Sequence, residues 1–140
     1  MHRVFVYGTL KKGLGNHNRL ETSHYVGPAI TTDKYVMLTR DFPVLLDVHD
    51  HVESRPVKGE VYDVDNGTLK SLDELERYIG PGQRNGYDRL FITVQCWDGK
   101  QTLDMEVQAY IGGDAWYDSD WPIHSITNST GQLEWPRATS

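Results

Sequence analysis

One stretch of helical periodicity interrupts a chain otherwise written in short strands. Residues 68–79 place Leu69, Leu72, Leu75 and Ile79 on one face, at about 100° per residue, and Gly80-Pro81 closes the segment. Around it, residues 4–7, 34–39, 44–48, 57–64, 89–96 and 104–111 are rich in β-branched and aromatic side chains and read as strands. Asp98-Gly99 is a tight-turn dipeptide that joins the last two as a hairpin. A brief helix over 16–21 follows Gly13 and Gly15. One helix among this many short strands makes the fold α+β, and the strand count points to a closed or nearly closed barrel.

The chain has 140 residues, which predicts one domain over 1–140 with a core large enough to hold a pocket. Its last part, 112–140, changes character: Trp116, Tyr117, Trp121 and Trp135 alternate with Asp114, Asp118, Asp120, glycine and proline. Rings of that size seldom stay in water, so this tail is expected to wrap the barrel as irregular structure.

Several function classes are excluded by composition. The net charge is −6 and basic residues are scattered, which argues against a nucleic-acid surface. No apolar run is long enough to cross a bilayer, and residues 1–7 enter a strand without the apolar segment of a signal peptide. With a single cysteine, Cys96, no internal disulfide can form, and a cytoplasmic location is expected. His49-Asp50-His51 lacks a motif-linked third ligand and reads as a solvated loop, so no metal or cofactor is expected. Neither a nucleophile elbow, a dinucleotide fingerprint nor a P-loop is present.

Two features carry chemistry. On the helical wheel Glu76 falls inside the apolar stripe between Leu69 and Leu72, whereas Glu74 points to water and Asp73 lies at the edge. An inward carboxylate is costly unless paired or put to use, and partial desolvation makes it a general base. The alternative is a glutamate at the stripe boundary that reaches out to solvent. The second feature is Tyr7-Gly8-Thr9-Leu10, a strand end followed by a glycine-spaced loop carrying Lys11-Lys12. Such a loop can turn several backbone N–H groups toward one anion, with Gly8 allowing close approach; it is otherwise an ordinary strand-to-loop turn.

Four stretches in order resemble the γ-glutamylcyclotransferase-like family, most closely its γ-glutamylamine cyclotransferase branch. They are Val4-Phe5-Val6-Tyr7-Gly8-Thr9-Leu10-Lys11-Lys12-Gly13 with Asn16-His17, then Val57-Lys58-Gly59-Glu60-Val61-Tyr62, Leu72-Asp73-Glu74-Leu75-Glu76 and Tyr87-Asp88-Arg89. The resemblance implies a small mixed β-barrel with flanking helices and a cavity at one end. It implies an enzyme that cyclises a γ-glutamyl amide to 5-oxoproline and frees the amine, without metal or cofactor. Glu76 would be the catalytic acid/base. The backbone of Gly8, Thr9 and Leu10 would hold the α-carboxylate, and Tyr7 and Tyr87 would line the pocket. The chain departs from the family just after Glu76, where Arg77-Tyr78 stands in place of glycine and a proline-containing turn. A non-catalytic barrel that binds a small ligand, or a protein whose tail aromatics form a partner surface, are the rival readings.

Overall fold

The structure is a computed structural model that describes residues 1–83, 86–125 and 127–136. Strand β1 (His2–Val6) leads through a loop and a 3₁₀ turn (His17–Leu20) to β2 (His24–Thr31). A hairpin of β3 (Val36–Thr39) and β4 (Pro43–Leu46) follows, then β5 (Lys58–Val64), helix α1 (Asn66–Leu75), and a long hairpin of β6 (Tyr87–Trp97) and β7 (Thr102–Gly112). Five strands close into a barrel in the order β1-β5-β2-β6-β7. All neighbours are antiparallel except β1 and β7, whose parallel pairing at Val4–Gln108 and Phe5–Ala109 closes the circle. The α+β barrel expected from the strand count is therefore the fold.

Alternation along the strands explains the apolar run at the start of the chain. Phe5 and Tyr7 point into the barrel with Val61, Val107, Ala109 and Ile111. Val4 and Val6 point outward but are covered by Leu69 and Leu72 of α1, together with Leu10, Leu20 and Tyr62. Both faces of β1 are buried, so it carries no polar alternation. A third cluster joins Val36, Leu38, Val44 and Leu46 of the β3–β4 hairpin to Phe42, Trp116 and Trp121.

Three expectations need correction. First, β2 lies in a stretch to which the sequence reading gave no element, and Gly27-Pro28 stands in its middle. Here the register slips between Tyr25 and Gly27, and a Cβ at Gly27 would sit 1.7 Å from the Trp97 carbonyl oxygen. The slip is in the pairing with β5, and glycine leaves room for the Trp97 carbonyl of β6 on the other side. Second, the brief helix expected over 16–21 is a four-residue 3₁₀ turn. Third, α1 starts and stops earlier than 68–79. Asp65 caps it, accepting from the Thr68 N–H at 2.7 Å. At its end the Arg77 N–H donates to Glu74 O at 3.3 Å and the Tyr78 N–H to Asp73 O at 2.9 Å, with Arg77 at φ 55°. This is a Schellman stop with arginine at the left-handed position where glycine is usual. Ile79 falls beyond it and is 74% exposed rather than part of the stripe.

The described part of the tail lies against the barrel. Leu133 is buried in the interior cluster, its N–H donating to Pro56 O at 2.8 Å, and Trp116 and Trp121 cover the β3–β4 hairpin. Tyr117 stays exposed, against expectation. Residues 126 and 137–140 of that tail lie outside the described residues.

A left-handed conformation costs a non-glycine residue roughly 1–2 kcal/mol. Arg77→Gly is therefore expected to raise the unfolding free energy, by up to about 1 kcal/mol after the entropy of glycine is counted. Urea denaturation of the two proteins measures it.

Candidate active site

The loop after β1 is held by its carbonyls. Gly8 O accepts from Lys11 N–H at 3.0 Å and Thr9 O from Asn16 N–H at 2.9 Å. Leu10 O accepts from His17 Nδ1 at 2.9 Å, which fixes the proton on that nitrogen. Asn16 Nδ2 donates to Thr9 Oγ1 at 2.8 Å, and Glu60 of β5 accepts the Lys12 N–H at 2.9 Å. The N–H groups of Thr9 and Leu10 are left without an acceptor among the described residues. A loop anchored by its carbonyls, with neighbouring amides free, is the arrangement that receives an anion.

Gly8 also has a packing role that the sequence did not reveal. The space a side chain would need is taken by the Pro43 ring, whose Cγ would lie 2.9 Å from a Cβ at this position. Its smallness serves the packing of the loop on β4, as well as any ligand.

Glu76 is the first residue after α1, and its carboxyl is half-buried at the same cavity. Burial raises its pKa from the ordinary 4.5 to about 7, partly opposed by the positive charge of Arg19. Glu74 is exposed, as expected. Asp73, read as lying at the helix edge, is an anchor: it accepts from the Tyr110 hydroxyl at 2.7 Å and pairs with Arg89. The Arg89 guanidinium lies over the Tyr78 ring, 4.9 Å from its centroid. The Tyr7 hydroxyl donates to Tyr110 O at 2.5 Å. These contacts tie the end of α1 to β6 and β7 and so fix where Glu76 stands.

The cavity has a volume of about 480 Å³ and is lined by Tyr7, Gly8, Thr9, Leu10, Glu76 and Tyr87, so all six residues singled out from the sequence meet there. Burial pushes the hydroxyls of Tyr7 and Tyr87 well up, keeping them neutral. The sequence reading missed Phe42, Pro43, Tyr110 and Trp116, which also line it. Asn16 belonged to a recognised stretch without a role; the other four carry no local signal, being brought in by the hairpin, by β7 and by the tail.

Outside the cavity, Cys96 is buried in the barrel interior. His49 donates through Nδ1 to Lys34 O and through Nε2 pairs with Asp47 rather than with His51, and no group of three or more potential ligands gathers among the described residues. No helix among the described residues is long and apolar enough to cross a membrane.

Comparison with known proteins follows the same geometry. Residues 4–126 match the family described as Gamma-glutamyl cyclotransferase, AIG2-like. The chain is 37% identical to Gamma-glutamylaminecyclotransferase A of Danio rerio over 139 residues, covering 91% of this chain and 80% of that one. It is 32% identical to Gamma-glutamylaminecyclotransferase of Rattus norvegicus, covering 94% and 92%. The crystal structure of an AIG2-like protein from Mus musculus superposes with a TM-score of 0.67 at 25% identity, over 100% of this chain and 99% of that one.

Two outcomes follow from this geometry. Glu76 binds its proton more tightly in the folded chain, so between about pH 4.5 and pH 7 the folded state loses stability as pH rises. Glu76→Gln removes that loss. The two proteins are expected to unfold alike at pH 4, whereas the variant is more stable by on the order of 1–3 kcal/mol at pH 8. Gly8→Val must displace Pro43; it is expected to cost about 1–3 kcal/mol in chemical denaturation and to raise KM as the loop shifts.

Proposed function

We propose that this chain, which belongs to the Gamma-glutamyl cyclotransferase, AIG2-like family, cyclises a γ-glutamyl amide to 5-oxoproline and releases the free amine. The observation that carries the reading is one cavity lined both by Thr9 and Leu10, whose backbone amides have no acceptor among the described residues, and by a carboxyl whose pKa is raised to about 7. A γ-glutamyl group begins with an amino acid head, a carboxylate beside an ammonium. The amides suit the first charge and Glu76 suits the second.

The chemistry asks for little more. The α-amine of the substrate attacks its own γ-carbonyl; a C–N bond of the lactam forms, and the amide C–N bond to the leaving amine breaks. Holding the two ends of the substrate together supplies much of the rate, because the reacting atoms then meet without further loss of freedom. The α-amine is an ammonium at neutral pH and cannot attack in that form. The attacking nitrogen sheds two protons in passing from ammonium to lactam N–H; Glu76 takes them in turn and hands them to the departing nitrogen, which leaves as an ammonium, so the enzyme ends as it began. A carboxyl of ordinary acidity would be too weak a base to take the proton readily. The neutral, engaged hydroxyls of Tyr7 and Tyr87 close the cavity without competing for the charge.

In this mechanism the free amides bind and Glu76 reacts. With a γ-glutamyl amine as substrate and 5-oxoproline as the readout, Glu76→Gln is expected to lower kcat by 10²–10⁴-fold with KM little changed. Glu74→Gln, exposed on the same helix, is the control and stays near wild type. In the wild type, kcat/KM is expected to rise with pH to a plateau, with a midpoint near 7. Full turnover in Glu76→Gln, or amine release without lactam, would refute the reading.

A further inference from the structure

Part of the cavity lining is built from rings, those of Phe42, Pro43, Tyr87 and Trp116. Their polar edges are engaged within the protein: the Tyr87 hydroxyl donates to Pro43 O at 3.2 Å, and Trp116 Nε1 donates to Gly86 O at 2.9 Å. Phe42 meets Trp116 edge-on, centroids 6.1 Å apart at 87°, and Trp121 backs both. What this wall offers a ligand is apolar ring surface with no hydrogen bond left to give.

The wall also touches both ends of the reacting centre. Pro43 packs against Gly8, at the start of the loop. Gly86, which holds Trp116, lies beside the Glu76 carbonyl, 3.5 Å from the position of a Cβ there. A γ-glutamyl head seated between the loop amides and Glu76 leaves this wall to the other side of the scissile amide. Among the described residues lining the cavity, Arg77 is the only cation and Glu76 the only anion. A leaving group with a second positive charge therefore finds no partner apart from the reacting carboxylate and is repelled by Arg77.

We propose that Phe42, Tyr87 and Trp116 form the subsite for the leaving amine, and that it selects amines bearing an aromatic or similarly flat apolar body. Short alkyl amines leave the wall uncovered, diamines bring a positive charge it cannot pair, and lysine brings a zwitterionic head that the apolar rings would have to desolvate. Stacked and edge-on ring contacts supply the preference. The inference rests on the cyclotransferase reading, and Trp116 is its specificity-determining residue.

The test compares lactam formation from γ-glutamyl-phenethylamide, γ-glutamyl-ethylamide and Nε-(γ-glutamyl)-lysine. Wild type is expected to favour the phenethylamide over the ethylamide at least tenfold in kcat/KM, the range open to an apolar pocket, and over the lysine conjugate as well. Trp116→Ala is expected to reduce the phenethyl-to-ethyl ratio at least fivefold, while Trp116→Phe retains most of it. A ratio near one in wild type, an unchanged ratio in Trp116→Ala, or the lysine conjugate as the best substrate would overturn the proposal. If none of the three yields lactam, the cyclotransferase reading itself fails. The subsite is then decided by equilibrium binding of phenethylamine: saturable binding lost in Trp116→Ala supports it, and no binding overturns it.

Discussion

Everything at the cavity depends on how α1 is stopped. The helix ends because Arg77 takes a left-handed conformation and Tyr78 turns back to bond Asp73 O. Glu76 is therefore the last residue before the turn, and its side chain leaves the helix into the cavity. One further turn of helix would carry Ile79 onto the apolar face. The stop is held in place by the Asp73 side chain, which is bonded to Tyr110 and Arg89 on the barrel wall. The same aspartate thus closes the helix with its carbonyl and docks it with its carboxylate. A strained arginine is tolerated at the turn because these contacts over-determine it.

The cavity's two charged functions are complementary in kind. On one side are the backbone amides of Thr9 and Leu10, without an acceptor among the described residues, in a loop held by its carbonyls. On the other, a carboxyl is desolvated far enough to share its proton near neutrality. An amide is a fixed dipole that neither titrates nor moves, so it suits an anchor. A carboxyl with a pKa near 7 can take and give a proton at small cost, so it suits a catalyst. The rings that complete the cavity have their polar edges already satisfied, and this keeps the surrounding surface from diverting either charge.

Much of this was legible in the sequence, for reasons that differ by element. The outer β1 residues Val4 and Val6 and the inner ones Phe5 and Tyr7 gave an unbroken apolar run, which marks a strand buried on both faces. Glu76 stood out because a carboxylate interrupts an apolar period. The helix's true end was hidden, since its left-handed residue is Arg77 rather than the glycine that signals such stops. Strand β2 was hidden by Gly27-Pro28, which breaks most strands but here sits at a register slip against β5 and leaves room for the Trp97 carbonyl. The aromatic wall could not be read at all. Phe42, Pro43 and Trp116 are assembled from a hairpin and a tail that lie far apart in the chain, and no local period connects them.

The central claim is that enclosure at the end of α1 makes Glu76 a base poised at neutral pH. The direct measurement is an NMR titration of the Glu76 side-chain carboxyl carbon in the free protein, assigned by comparison with Glu76→Gln. The account predicts a midpoint near 7. A midpoint near 4.5, the ordinary value for a solvated glutamate, would mean that the cavity does not desolvate this group, and would contradict the account.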